Sequence, residues 1–290
     1  MNFSPSPLQP VPFEGTLFYI KRDDLISSCY SGNKIRKLHA LFDRDKPRHL
    51  VSFGGYQSNA MLSMACFAKE RNIGFTYITK PVPPWVKALG EGNLYHALSK
   101  GMQLRQVIHA HYQKTVQNLR SEYPDALVID QGAADPLARP GIARLALELL
   151  EQWKTAGVTD PAVVLPSGTG TTALYLALEL PDSIPVFTVP CVGDGAYLTR
   201  QWKTLEPDAR RYPVILTPPK KYHFAKPDTD LLAVWKKLPL PFDLVYAPVT
   251  WLTLLHRLDT LKPHTLTYLH TGGVLGNPTQ RERYRYELGI

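Results

Sequence analysis

No run of about 18 consecutive apolar residues occurs in the chain, so a membrane-spanning helix is not expected. Met1 to Pro5 lacks a basic region followed by an apolar core, which argues against a secretory leader. Cysteine is scarce. Cys29, Cys66 and Cys191 are far apart and odd in number, a pattern that predicts a reducing, cytoplasmic setting and no disulfide framework. A P-loop, a G-x-S-x-G elbow, internal repeats and low-complexity tracts are all missing. Metal-ligand spacing is missing too. His109 and His111, two apart as on one face of a strand, have no third ligand at suitable spacing, so no metal is expected.

What remains is ordinary globular composition. A chain of 290 residues, 44% hydrophobic, can bury a large core in one large domain or two smaller ones. The formal net charge is +8, with denser patches at Arg200 to Lys226 and Arg281 to Arg285. No nucleic-acid motif accompanies that charge, and solubility or steering of a small anionic ligand accounts for it. Nucleic acid and membrane are therefore not expected partners.

Short apolar runs alternate with helical patterns. Strands are expected at Leu50–Phe53, Phe75–Ile78, Leu127–Asp130, Ala162–Leu165, Val186–Val189, Asp243–Tyr246 and Leu266–Leu269. Helices are expected near 58–70, 85–100, 139–155, 171–180, 194–204, 229–237 and 249–260. Strand then helix, repeated, argues an α/β fold with mostly parallel sheets. Glu206 to Asp228, rich in proline and basic residues, reads as a long loop, and loops of that length are often functional.

Four segments carry chemistry. The first is Ser31-Gly32-Asn33-Lys34-Ile35-Arg36-Lys37-Leu38, a small turn opening a helix with Lys34 and Lys37 one helical turn apart on one face. One lysine could form a Schiff base with an aldehyde while the other meets a phosphate, and a desolvated lysine beside a second cation becomes a usable nucleophile. A plain basic first turn accounts for the octapeptide equally well. The second is Gly54-Gly55-Tyr56-Gln57-Ser58-Asn59, between a strand and a helix, with Ser58 and Asn59 placed to cap. A strand–turn–helix with a capping serine explains that segment taken alone.

The third is Ser167-Gly168-Thr169-Gly170-Thr171-Thr172, again between strand and helix. Glycines and hydroxyls at a helix N-terminus make an anion cradle. Gly168, Gly170 and Ala173 satisfy the dinucleotide pattern G-x-G-x-x-A, which leaves a dinucleotide-dependent oxidoreductase as an alternative. That pattern also wants an acid at the end of the next strand, yet no carboxylate appears before Asp194. The four hydroxyls suit a terminal monophosphate better. The fourth segment is His270-Thr271-Gly272-Gly273, also at a strand end, where ligands of open α/β sheets bind.

Taken together, these runs and Lys21-Arg22-Asp23-Asp24 resemble, in order and spacing, the tryptophan-synthase-β-like (fold type II) pyridoxal phosphate enzymes. The nearest group is the 1-aminocyclopropane-1-carboxylate deaminase and D-cysteine desulfhydrase family. The resemblance implies two open, twisted, mostly parallel sheets flanked by helices. A small α/β domain at 39–124 would be inserted in a large cofactor-binding domain of 1–38 and 125–290, with the cofactor in the cleft between them and a homodimer as the assembly. It implies pyridoxal 5'-phosphate with Lys34 as the Schiff-base lysine. Lys37 and the backbone of Gly168, Thr169, Gly170, Thr171 and Thr172 match the phosphate site. Asn59 matches the partner of the cofactor's 3-hydroxyl, and Thr271 the partner of the pyridine nitrogen. Ser58, with Gln57 and Asn59, matches the group that handles the substrate carboxylate or acts as acid and nucleophile. Tyr246 matches an active-site tyrosine.

Two positions depart from the deaminases. Ala247 stands where they carry a glutamate for the pyridine nitrogen, and Phe224 falls near their second tyrosine, with Tyr222 two residues away as a possible substitute. Both departures argue against ring opening. A neutral Thr271 at the ring nitrogen stabilises a carbanion less than a carboxylate would, which favours prompt loss of a β-leaving group. The resemblance thus implies a lyase acting on a small amino acid, with α-proton abstraction, β-elimination and release of ammonia and a 2-oxo acid. Ring-opening deamination, and a protein that binds the cofactor with weak or lost catalysis, are the alternatives.

Overall fold

A computed structural model describes residues 4–290. The chain opens with a hairpin that the alternation pattern misses, because Pro10 and Pro12 interrupt it. Leu8–Phe13 (β1) pairs antiparallel with Thr16–Lys21 (β2) across Glu14-Gly15, both at positive φ. The prolines are tolerated because β1 is an edge strand. The larger sheet runs β1-β2-β10-β7-β8-β9, where β7 is Pro161–Ser167, β8 Val186–Pro190, β9 Val214–Ile215 and β10 Thr265–Leu269. Every pairing beyond the hairpin is parallel.

Strand β7 shows why this sheet is apolar on both faces. Val163 and Leu165 join one core layer, with Arg139–Thr155 (α6), Thr171–Glu179 (α7) and Gly195–Leu205 (α8). Ala162 and Val164 join the opposite layer, with Thr229–Lys237 (α9), Ala247–His256 (α10) and Leu258–Leu261 (α11). Helices on both faces are what a parallel sheet requires.

The second sheet is wholly parallel, in the order β5-β4-β3-β6, with β3 His49–Phe53, β4 Gly74–Thr79, β5 Gln103–Gln106 and β6 Leu127–Ile129. Its crossovers are Asn59–Arg71 (α2), Pro84–Ala88 (α3) with Gly92–Ser99 (α4), and His109–Glu122 (α5). Lys34–Phe42 (α1) leads into it, and Asn277–Leu288 (α12) ends the chain. The expected α/β class with two mostly parallel sheets is therefore what the chain adopts.

Several expectations need correction. Strand β6 pairs with β3, so the smaller sheet extends past residue 124. The helix expected at 85–100 breaks where Gly90 and Gly92 take positive φ. His109 and His111 open helix α5 instead of lying on a strand, so they do not share a face. Asp243–Tyr246 is no strand. The Asp243 carboxylate accepts the backbone N–H groups of Val245 (3.0 Å), Tyr246 (2.5 Å) and Ala247 (3.3 Å), which turns the chain into α10. Among the described residues, no helix is long and apolar enough to cross a membrane.

The cysteine expectation is overturned as well. Cys29, in the loop before α1, is disulfide-bonded to Cys66 in α2, with Cα atoms 6.1 Å apart across 37 residues of sequence. An odd count hid a pair plus one buried free thiol, Cys191, and the ground for expecting a reducing setting goes with it. Thiol titration of the denatured, unreduced protein should find one reactive thiol per chain; three would contradict the cross-link.

Below α1 lies an ionic cluster closed to solvent. Arg36 donates to both oxygens of Asp23 (2.7 Å each) and to both oxygens of Glu148 (3.0 and 2.8 Å). Lys21 reaches Glu148 (2.8 Å), Gln152 (2.9 Å) and the carbonyl of Ser6 (2.7 Å). Against the cost of burial, Arg36 and Lys21 hold the Glu148 carboxyl below its ordinary range. Two cations and two carboxylates thus clamp β2, α1 and α6 together. Removing one charge leaves another buried without a partner. Glu148→Gln should therefore cost about 3–5 kcal/mol, read as a fall in the urea midpoint.

Candidate active site

The C-terminal ends of β3, β6, β7 and β10 converge on a cavity of about 340 Å³. Its wall includes Lys34, Lys37, Gln57, Ser58, Asn59, Gly168, Thr169, Gly170, Thr171, Thr172, Tyr246 and Thr271. All the site residues expected from sequence thus face one space, although they come from opposite ends of the chain.

The lysine turn is held from three sides. Gly32 approaches the end of β10 so closely that a Cβ would lie 2.0 Å from the Thr271 carbonyl oxygen. The Asn33 backbone N–H donates to that oxygen at 3.2 Å, and the Ser31 N–H donates to Ser63 of α2 at 3.0 Å. The Asn33 side chain, quoted from sequence only as part of the turn, proves to be a connector. Its Oδ1 accepts from Lys34 Nζ at 3.0 Å, while its Nδ2 donates to Thr172 Oγ1 at the start of α7 at 3.0 Å.

Both ammonium groups are poorly compensated. Burial pulls the Lys34 pKa down to about 8, opposed only in part by Asp243. Lys37 is pushed well below the ordinary lysine range by burial and then by repulsion from Lys34, and its Nζ has the Gly132 carbonyl as acceptor at 3.1 Å. Opposite them, α7 begins at Gly170 with no side-chain cap, so its first backbone N–H groups face the cavity end. Gly170 sits at φ +73°, and a Cβ there would lie 2.4 Å from Trp202 Nε1, so no other residue fits this turn. Ser167 belongs to the sheet instead: its hydroxyl lies 2.6 Å from Thr188 Oγ1.

Ser58 caps α2 by accepting the Met61 N–H at 3.3 Å. Asn59 receives Asn93 Nδ2 on its Oδ1 at 2.8 Å, which leaves its own Nδ2 as a donor. That Nδ2 would lie 2.7 Å from a Cβ at Gly273, so Gly273 makes room for it. Tyr246 places its hydroxyl 3.6 Å from where a Gly168 Cβ would be, and its ring 5.3 Å from that of Phe224. Burial raises the Tyr246 pKa. Tyr222 lines a neighbouring cavity with Cys191 and Leu231 rather than the wall of this one, whereas Phe224 borders both.

Sequence reasoning missed Asp243, Asn93 and Arg283, all in the wall. Burial raises the Asp243 pKa against three backbone N–H bonds. A carboxylate five residues before the helix proline Pro248 was the available signal, masked by its apolar neighbours.

Two desolvated ammonium groups, an uncapped helix N-terminus and a free amide donor suit a phosphorylated aldehyde with a ring hydroxyl. Pyridoxal phosphate is such a molecule, and its family matches residues 1–211. The chain belongs to the pyridoxal-phosphate dependent enzymes. A D-cysteine desulfhydrase of Serratia proteamaculans is 28% identical over 181 residues, covering 59% of this chain and 55% of the relative. A putative 1-aminocyclopropane-1-carboxylate deaminase of Pyrococcus abyssi is 29% identical over 180 residues, covering 59% and 52%. The chain spans about half the length of the curated relatives it matches. Over 93% of this chain and 90% of the other, the fold superposes on the crystal structure of a deaminase homologue with TM-score 0.74 at 21% identity. A hydrogen sulfide-producing enzyme of Fusobacterium nucleatum gives TM-score 0.67 at 12% identity over 94% and 96%. These likenesses show the fold, that of the fold type II enzymes.

Because the lowered pKa of Lys34 is about 8, its neutral amine predominates above that pH and falls about tenfold per unit below it. Combination of the cofactor-free protein with pyridoxal phosphate, followed by absorbance, should therefore quicken up to about pH 8 and level off. A rise continuing toward the ordinary lysine value would mean that Lys34 is not desolvated.

Proposed function

We propose that the protein is a lyase acting on a small amino acid by α-proton removal and β-elimination, yielding ammonia, a 2-oxo acid and the leaving group. D-cysteine, with sulfide as the leaving group, is the first candidate substrate. The observation that carries this reading is Lys34: a desolvated amine beside an anion cradle, opposite the Ser58–Asn59 turn.

Pyridoxal phosphate, when bound, supplies the sink for the electron pair left at the α-carbon. The residues divide the remaining work. Lys34 would hold the cofactor and would take the substrate's α-proton on Nζ. Lys37 and the backbone of 168–172 would hold the phosphate. Asn59 would donate to the 3-hydroxyl, and Thr271 would offer the ring nitrogen a neutral hydroxyl. Gln57, Ser58 and Asn59 orient the substrate carboxylate, and Tyr246 lies across the cavity as a proton donor held neutral by burial.

Ring-opening deamination is supported less well. Ala247 is wholly buried and supplies no carboxylate, and Phe224 offers no hydroxyl. The smaller domain is read as running beyond 124 to include β6. A homodimer remains part of this reading on the family resemblance alone, whereas the cytoplasmic setting expected from the cysteines has lost that ground.

Screening both enantiomers of cysteine, serine and 3-chloroalanine, with the cyclopropane amino acid alongside, should give 2-oxo acid from the first three classes. Lys34→Ala should abolish turnover and the pyridoxyl adduct found at position 34 after borohydride, and Ser58→Ala should lower kcat/KM by about 10²–10³. Elimination retained without Lys34 would end this assignment.

A further inference from the structure

The C-terminal helix brings one more cation to the site. Arg283, on α12, lines the cavity between Tyr56 and the Phe224–Ala225 turn. Its Nη2 donates to the Tyr56 hydroxyl at 2.9 Å and its Nη1 to the Ala225 carbonyl at 3.0 Å. Gln280 donates to the same carbonyl at 3.0 Å, and Ala225 sits at φ +58°, so the turn is pinned by α12. The Arg283 side chain is only 16% exposed, yet its nearest carboxylate oxygen, on Glu287, lies 3.9 Å from Nε, beyond hydrogen-bond distance.

A guanidinium has five N–H donors. Two are engaged here, both by neutral acceptors, so the charge has no hydrogen-bonded counterion among the described residues. The other cations of the wall, Lys34 and Lys37, are assigned to the cofactor, and the one wall carboxylate among the described residues, Asp243, already accepts three backbone N–H groups. A partly desolvated guanidinium with free donors is a strong receptor for carboxylate or phosphate.

We propose that Arg283 selects amino acids carrying a second anionic group at the end of a short side chain, a carboxylate or a phosphate. This deepens the lyase reading and rests on it. With O-phosphoserine, Lys34 takes the α-proton, the Cβ–O bond breaks with its electron pair leaving on phosphate, and water converts the remaining enamine to pyruvate and ammonia.

The test uses the holoenzyme. Titration calorimetry compares aspartate with asparagine, which differ in charge and little in shape. The expected preference is about 10- to 100-fold for aspartate, the range of one charge-assisted bidentate contact. Arg283→Gln should collapse the ratio to near unity and Arg283→Lys restore part of it. Steady-state kinetics compares O-phosphoserine with O-acetylserine, and the same ratio should appear in KM rather than kcat. Equal affinity for aspartate and asparagine in the unaltered protein overturns the proposal, whatever the variants do. Equal weakening of both ligands by Arg283→Gln overturns it too, since that marks an α-carboxylate or structural role. Charge preference without turnover of any amino acid sinks the lyase reading and leaves Arg283 standing, whereas turnover without charge preference does the reverse.

Discussion

The buried exchange of charge between Arg36, Asp23, Glu148 and Lys21 is the constraint on which the site depends. Arg36 lies between Lys34 and Lys37 on the same short helix, so whatever fixes Arg36 fixes both lysines. Buried ion pairs are weak contributors to stability when compared with apolar residues of the same size, because desolvation offsets the attraction. They are strict about geometry, however. A guanidinium that satisfies two carboxylates at 2.7–3.0 Å admits one orientation of its helix. Gly141 completes the arrangement: a Cβ there would lie 1.9 Å from the Arg36 carbonyl oxygen, so α6 packs directly on the α1 backbone. The molecule trades stability for the placement of two amines.

That placement creates an electrostatic problem that a phosphate ester answers. Both ammonium groups on this helical turn are desolvated, and Lys34 further lowers the affinity of Lys37 for a proton. Among the described residues neither has a carboxylate at hydrogen-bond distance, and Asp243, in the cavity wall, is committed to backbone donors at the start of α10. The uncapped N-terminus of α7 adds a third source of positive potential at the same end of the cavity. Asn33 links the two halves, since one amide touches both Lys34 and Thr172.

The site was more legible in the sequence than the fold around it. Glycine and hydroxyl runs at strand–helix junctions are local signals, and each of the residues inferred from them faces the cavity. Helices at 139–155 and 229–237 were equally plain, because an apolar stripe and, for the second, a capping Asp228 mark them. What escaped depended on partners distant in sequence. The disulfide joins residues 37 apart through a tertiary meeting of a loop and α2. Strand β1 is recognisable only once β2 lies beside it, since prolines spoil its alternation. Asp243–Tyr246 has strand-like composition, but one carboxylate satisfying three backbone donors outweighs that preference. Arg283 sits on a helix so polar that nothing in its pattern separates a cavity-facing arginine from a solvated one.

The glycines of the last motif explain why residues so far apart can share one chemistry. A Cβ on Gly32 would meet the Thr271 carbonyl, and one on Gly272 would lie 2.5 Å from Gly32 Cα. The lysine turn and the end of β10 therefore touch backbone to backbone, with no side chain between them. Contacts of that kind cannot be retuned by a rotamer, because their length is set by the peptide units themselves. The separation of Lys34 from Thr271 is consequently as rigid as the sheet that carries β10. Small residues here serve distance rather than flexibility.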